Sequence, residues 1–199
     1  MYQDADGDRK MKMQMKPRVS LYRCPVALVT CVDEKGAPNI ITLAWVGVAS
    51  SEPPILSIGI RPSRHSFNLI SKTREFVVNI PTAEILEQTD FCGMTSGREV
   101  DKFSKTGLTP LKASNVKPPL IKECPVNMEC ILRQVIELGT HHLFLGEIVS
   151  VHIDSEILDE KGNIDYAKAS AMCYMPEEYW SSGKKIGIYG LAKPEVDLH

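Results

Sequence analysis

The chain has 199 residues, 43% of them hydrophobic and 24% charged, with a formal net charge of −2. That length fits one domain with a core that needs no disulfide staples, and the composition excludes a disordered or collagen-like chain. The near-neutral balance offers no basic surface for nucleic acid or for an anionic membrane, so neither is expected as a partner.

Residues 1–16 read as a flexible tail dense in Asp, Lys, Arg and Met. They lack the apolar h-region of a secretory signal. The longest apolar run, Ile40 to Ala49, falls well short of the roughly 20 residues of a spanning helix. A soluble, cytoplasmic protein is the expectation, with residues 17–199 as a single domain and a C-terminal extension from about residue 156. Val26 to Val32 is a short β-rich run, and Asp33-Glu34-Lys35-Gly36 has turn chemistry. Asn39 to Leu43 is then the returning strand of a hairpin. Ala44 to Ser51 is apolar and is ended by Glu52-Pro53-Pro54. Ile55 to Ile60 is a strand bounded by prolines.

A short helix is expected over 66–72, with Ser63 and Ser66 as candidate N-caps. Glu75 to Ile80 is a strand stopped by Pro81, and Ala83 to Asp90 a helix. Val100 to Lys105 is a further short helix closed by Gly107. Lys112 to Pro119 is loop. Two long strands follow, Val126 to Leu138 and His142 to Ile153, the second with apolar side chains on both faces. Asp159 to Asn163 is a turn. Tyr166, Tyr174, Tyr179, Trp180 and Tyr189 make the C-terminal part a segment packed on something. Strands without a helix after each exclude a parallel α/β fold and point to a mainly β, antiparallel barrel with short helical insertions.

The six cysteines form no C-x-x-C pair and have no zinc-finger spacing. They are too sparse for a disulfide scaffold and read as free thiols. Cys124 and Cys130, six apart, would share a face of one continuous strand. No metal site is expected. No G-x-G-x-x-G follows a strand, and Ser181-Ser182-Gly183-Lys184-Lys185 fails the P-loop pattern.

Three segments carry chemistry. Arg61-Pro62-Ser63-Arg64-His65-Ser66 places two arginines, a histidine and two hydroxyls between a strand end and a helix start. Free N–H groups, the helix dipole and guanidinium forks suit a phosphate there, while a solvated basic loop is the plain alternative. Asn39 to Val48, apolar with Gly47 and Trp45, suits a planar aromatic ligand or simply a buried strand. His141 and His142, adjacent on a strand, point to opposite faces and make a poor chelating pair. A single one of them can carry a proton near neutral pH.

Several motifs run in a shared order: Pro25 to Thr30; Gly36-Ala37-Pro38-Asn39-Ile40-Ile41-Thr42 with Ala44-Trp45; Glu52 to Leu56; Arg61 to Ser66; Phe76-Val77-Val78-Asn79; Ser96-Gly97 with Asp101-Lys102-Phe103; and Gly139-Thr140-His141 through Val149. Together they resemble the flavin reductase-like family of FMN-binding split β-barrels, in its flavoredoxin and ferric-reductase-like branch. Thr140 stands where the family usually has an acid. The resemblance implies a Greek-key split barrel and a homodimer with one FMN per subunit near the interface. It implies that Arg61, Arg64, His65 and Ser66 hold the phosphate, with Ser63 and Ser50 as further candidates. Asn39, Thr42, Leu43, Ala44 and Trp45 would line the flavin, and Lys102 and Phe103 would reach a site from the partner chain. His141 is the candidate catalytic residue, beside the flavin or the nicotinamide. The implied activity is transfer of electrons from NAD(P)H through FMN to free flavin, ferric iron or a redox partner. A non-enzymatic FMN electron carrier shares all of these motifs, and a flavin-free protein on the same barrel is the third reading.

Overall fold

The structure, a computed structural model, describes residues 12–187 and 189. The tail expected over 1–16 therefore falls largely outside the described residues, as does the chain end from residue 190. Residues 12–16 are exposed and carry no regular structure.

In chain order the strands are β1 (Cys24–Pro25), β2 (Ala27–Val32), β3 (Pro38–Leu43), β4 (Val46–Ser51) and β5 (Pro54–Ile60). Helix α1 (His65–Thr73) and β6 (Glu75–Ile80) follow, then a 3₁₀ turn (Ala83–Ile85), α2 (Leu86–Met94) and α3 (Lys102–Thr106). Next come β7 (Pro110–Leu111), β8 (Leu120–Ile121) and the long pair β9 (Val126–Leu138) and β10 (His141–Ile153). The last elements are α4 (Tyr166–Ala169), β11 (Met172–Met175) and β12 (Glu178–Ser181). Among the described residues no helix is long and apolar enough to cross a membrane.

Seven strands form one antiparallel sheet in the order β3-β2-β6-β9-β10-β5-β4. Alternation along the strands sends one set of side chains inward. Ala27, Val29, Phe76, Val78, Leu132, Phe144, Ile58 and Ile60 meet there as the barrel interior. The sheet curls until the link between β3 and β4 reaches β5, where Gly59 N–H donates to the Trp45 carbonyl at 2.7 Å. No ladder joins β3 to β4 themselves, so the barrel is split at that point. The outward face of β2 and β3 is covered as well: Leu28 and Ile40 pack under Ile85, Cys92 and Phe103 from the helical segments. That second layer is why β2 is buried at all six positions and reads as a continuous apolar run rather than an alternating one.

Buried polar side chains fasten the loops to this frame. Asn79 is fully buried. Its Nδ2 donates to the Leu28 carbonyl at 2.9 Å, and its Oδ1 accepts from Ile121 N–H and Asn127 Nδ2. Glu129 accepts from the N–H groups of Ser114, Asn115 and Val116 and from His152 Nε2. Burial alone would push this carboxyl up, but the donors outweigh it and hold its pKa below the usual carboxylate range.

The structure differs from the sequence reading in places with clear physical causes. The helix expected over 83–90 is a 3₁₀ turn followed by α2 running on to Met94. Neither Ser63 nor Ser66 caps α1: the N-cap is Arg64, with no side-chain cap. Ser66 lies inside the helix and its Oγ accepts instead from Asn39 Nδ2. Cys124 and Cys130 do not share a strand face. Cys124 precedes β9 and packs in the helical layer, while Cys130 points into the barrel. At the far end of β10, Val151 is 50% exposed and Ile153 38%, so only one face of the strand is covered there. All six cysteines are free.

Gly146 shows how tightly the barrel is filled. A Cβ built there would lie 2.3 Å from Phe76 Cζ, in the middle of a fully buried ring. Overpacking of that kind costs about 1–3 kcal/mol. Gly146→Ala is therefore expected to lower the unfolding free energy by that amount, read in a urea titration as a lower midpoint with the slope unchanged.

Candidate functional site

Two hollows meet at the split of the barrel. The first is a cleft of about 260 Å³ lined by Thr42, Leu43, Ala44 and Trp45 from the β3 end, Gly59 and Arg61 from the β5 end, and His141, Tyr174 and Tyr179. Its wall is aromatic. The Trp45 ring lies 6.1 Å from His141 and 6.3 Å from Tyr174, and Tyr174 lies 6.1 Å from Tyr179. Tyr179 donates its hydroxyl to Asp90 Oδ1 at 3.0 Å. Burial and that carboxylate push its pKa up to about 12. Gly59 has to be small: a Cβ there would sit 3.0 Å from Trp45 Cβ.

The second hollow, about 250 Å³, is polar and is lined by Asn39, Ser63, Arg64, His65, Ser66, Thr95 to Glu99 and Lys102. The two hollows share Ile41, Arg64 and Gly93, so they form one site with an aromatic lobe and a cationic lobe. The cationic lobe lies at the uncapped N-terminus of α1, where first-turn N–H groups and the helix dipole favour an anion. Arg64, Arg98 and Lys102 gather there. The pKa of His65 is held below its ordinary value, first by burial and then by Arg98 and Lys102, against a smaller opposing pull from Asp33.

Lys102 is buried in its own chain. Its Nζ donates to the carbonyls of Ile40 at 2.7 Å and Cys92 at 2.6 Å. An ammonium has three donors, and these carbonyls use two of them. Burial holds its pKa below the usual lysine value, with the neighbouring Arg64 adding to that and the Cys92 and Cys31 thiols opposing it. Gly97 brings its backbone against Asn39: a Cβ there would fall 1.9 Å from Asn39 Oδ1. Asn39 in turn donates to Ser66 Oγ at 2.8 Å. The floor of the lobe is thus a packed chain of Gly97, Asn39 and Ser66.

The structure brings together most of the residues singled out from the sequence. Asn39, Ser63, Arg64, His65, Ser66 and Lys102 line the cationic lobe, while Thr42, Leu43, Ala44, Trp45, Arg61, Arg64 and His141 line the aromatic one. Two residues do not join them. Ser50 sits on β4 opposite Ile55 and lines neither lobe. Phe103 is buried in the helical layer with Leu28 and Cys92, because α3 turns that side chain under the sheet. It is a core residue of its own chain, and Lys102 lines the cationic lobe of its own chain.

Other lining residues were not singled out as site residues from the sequence. Asp90 and Gly93 on α2 had no signal. Gly97 and Arg98 lie in a loop whose Ser-Gly pair matched a motif without a role. Tyr174 and Tyr179 belong to the aromatic-dense C-terminal part, and their place comes from β11 pairing with β1, which no local pattern announces.

The family model described as flavin reductase like domain matches residues 19–181. The chain belongs to this family. A protein of Archaeoglobus fulgidus is 37% identical over 145 residues, 73% of this chain and 82% of that protein. Among solved structures, flavoredoxin of Desulfovibrio vulgaris (Miyazaki F) superposes with a TM-score of 0.86 at 31% identity, covering 92% of this chain and 99% of its own. A Shewanella frigidimarina protein with a split barrel domain gives a TM-score of 0.78 at 25% identity, covering 85% of this chain and 87% of its own. The fold of this flavin reductase-like chain is thus the mostly antiparallel split barrel.

His141 sits at the rim of the aromatic lobe, where its Nε2 accepts from Arg61 Nε at 3.3 Å. Burial and then the Arg61 guanidinium hold its pKa below the ordinary imidazole value of 6.5. The ring is therefore neutral at pH 7, with Nε2 as acceptor. The unfolded chain binds this proton more readily than the folded one, so this pair's contribution to stability falls as pH drops through about 6.5. An NMR titration of the His141 ring is expected to give a midpoint below 6.5. Arg61→Gln removes the cation and should move that midpoint up.

Proposed function

We propose that this chain binds FMN across the two lobes and passes electrons from NAD(P)H through it to an acceptor. The observation that carries the reading is the junction itself: an aromatic cleft opens directly into a cationic hollow, with Arg64 lining both. A flat ring system joined to a single phosphate has that division of chemistry. The residues fit such a group. Gly59 and Gly93 let Trp45 and Thr42 pack close in the wall of the ring lobe, and the third Lys102 donor and the first turn of α1 are available to the phosphate. The solved flavoredoxin relative supports the same ligand class.

When bound, FMN supplies hydride acceptance and one- or two-electron transfer. The chain's residues hold and orient it. Arg64, His65 and Ser66 fix the phosphate end, with Asn39 and Gly97 setting the floor beneath them. Trp45, Tyr174 and Tyr179 provide apolar faces that exclude water from the ring lobe. Thr42 donates its hydroxyl to the Thr89 carbonyl, which leaves this part of β3 to present backbone and methyl surface. His141, neutral and accepting from Arg61, acts as a hydrogen-bonding wall and not as a stored acid.

Self-association into a homodimer is part of this proposal. It is supported by the outer edge of β4, unpaired among the described residues, where Val48 is 79% exposed. An apolar open edge of this kind is a ready pairing surface.

The test is an absorbance spectrum of the purified protein, repeated after anaerobic addition of NADH and of NADPH. Flavin bands that bleach with either nucleotide at a catalytic rate are the expected result. Bands that resist both and bleach with dithionite would instead make it an electron carrier. A colourless protein that takes up no added FMN would overturn both. Replacing Arg64 by Ala should cost about 1.5–3 kcal/mol of FMN affinity, roughly tenfold or more. Equilibrium titration of apoprotein with FMN measures it.

A further inference from the structure

The aromatic wall of the ring lobe is built from two separate parts of the chain. Trp45 and His141 belong to the barrel, where Gly59 packs closely on Trp45 and Arg61 donates to His141. Tyr174 and Tyr179 belong to the hairpin of β11 and β12. That hairpin lies outside the seven-stranded sheet, in a small sheet of order β1-β11-β12. β12 is an edge strand, and on the far side β11 is held by only the two residues of β1, Cys24 and Pro25. Half of the wall thus stands on a lightly attached element.

The side chains of the hairpin mostly bond to the hairpin itself. The Tyr174 hydroxyl accepts from Glu177 N–H at 3.1 Å, and Trp180 Nε1 donates to Glu178 at 2.7 Å. The Cys173 thiol faces the carbonyls of Trp180 and Ser181. Among the described residues one side-chain hydrogen bond leaves the hairpin, from the Tyr179 hydroxyl to Asp90 Oδ1 at 3.0 Å. Asp90 stands on α2, which Lys102 and Thr42 tie to β3. Resting on the FMN reading above, we infer that Asp90 is a positioning residue for the ring lobe, holding Tyr179 and through it Tyr174 in place beside the bound ring system. A hydroxyl bonded to a carboxylate is charge-assisted and stronger than a neutral pair. Tyr179 meets Tyr174 edge to face, with ring planes at 71°, a favoured aromatic geometry that passes the placement on. Tyr174 meets Trp45 in the same manner. The wall is therefore continuous from α2 to the barrel, and Asp90 fastens its outer end. Asp90 is itself exposed, so water weakens the bond and its effect is moderate.

The experiment uses two ligands that share the ring system, FMN and riboflavin, the second without the phosphate. Apoprotein is titrated with each, as the wild type, Asp90→Ala, Asp90→Asn, Tyr179→Phe and the double variant Asp90→Ala with Tyr179→Phe. Asp90→Ala is expected to weaken both ligands by a common factor of about five. Tyr179→Phe keeps the ring and loses only the hydroxyl, and should do the same. The double variant should bind no more weakly than either single one, since both remove one interaction. Asp90→Asn keeps an acceptor for the hydroxyl and should stay within about twofold of the wild type. Hydrogen exchange of the ligand-free proteins reads the tie itself. Residues 172–181 should exchange faster in Asp90→Ala and Tyr179→Phe than in the wild type and Asp90→Asn. A loss with Asp90→Ala but none with Tyr179→Phe would overturn the inference, because Asp90 would then act on the ligand directly. A loss confined to FMN would overturn it, as would Asp90→Asn binding as weakly as Asp90→Ala, unchanged affinities or unchanged exchange. Failure of the wild type to bind FMN, read first and separately, would bring down the underlying reading and this inference with it.

Discussion

The Lys102 ammonium holds the site together. It is a buried cation, and among the described residues its two close partners are backbone carbonyls rather than a carboxylate. One of them, from Ile40, belongs to β3, and the other, from Cys92, lies in the last turns of α2. A cation near a helix C-terminus meets the negative end of the helix dipole, which offsets part of the desolvation that depresses its pKa. Thr42 adds a second tie between the same two elements through the Thr89 carbonyl. Together they set the distance between β3, which carries the ring-lobe residues, and α2, which carries Asp90 and Gly93. Losing the lysine would leave two buried carbonyls unsatisfied, and each is costly. It would also free α2 from the strand it frames.

Around that tie the site separates its chemistry by distance. The apolar rings stand on one side of Arg64, where the barrel is split and the Trp45 backbone meets Gly59. The cations stand on the other, where α1 begins without a cap. A capped helix would have used its own serine on the first-turn donors. Here Ser66 is turned instead into the Asn39 contact, and the N-terminus is left to whatever occupies the lobe. Gly97 fits the same logic, since any side chain there would push Asn39 off Ser66.

Much of the barrel was legible in the sequence because its punctuation is local. Glu75–Ile80 and Val126–Leu138 stand between clear breakers, and their β-branched content names them. The Asp33–Gly36 turn and Gly107 announce themselves by residue type. The segments that contribute to the two lobes, 42–45 and 61–66, were legible through residue chemistry combined with order along the chain. What escaped depends on tertiary context. β4 is a mixed, glycine-bearing stretch that becomes a strand only by pairing with β5. Phe103 looked like a site residue until α3 set its direction. Cys124 and Cys130 were separated by a strand boundary that spacing alone does not show. The tyrosines of the C-terminal hairpin reach the cleft only because β11 finds β1 across most of the chain.

That last pairing has a consequence for how the protein is made. The aromatic cleft draws on Val26 near one end of the chain and on Tyr179 near the other. A nascent chain on the ribosome can close the hairpins of its barrel early, since β2–β3 and β9–β10 are sequence neighbours. It has no complete ring lobe until residues past 179 have emerged. The residues of the cationic lobe, 39–102, emerge much sooner. The charged lobe is therefore drawn from the first half of the chain, and the aromatic wall is complete only when the chain is nearly finished.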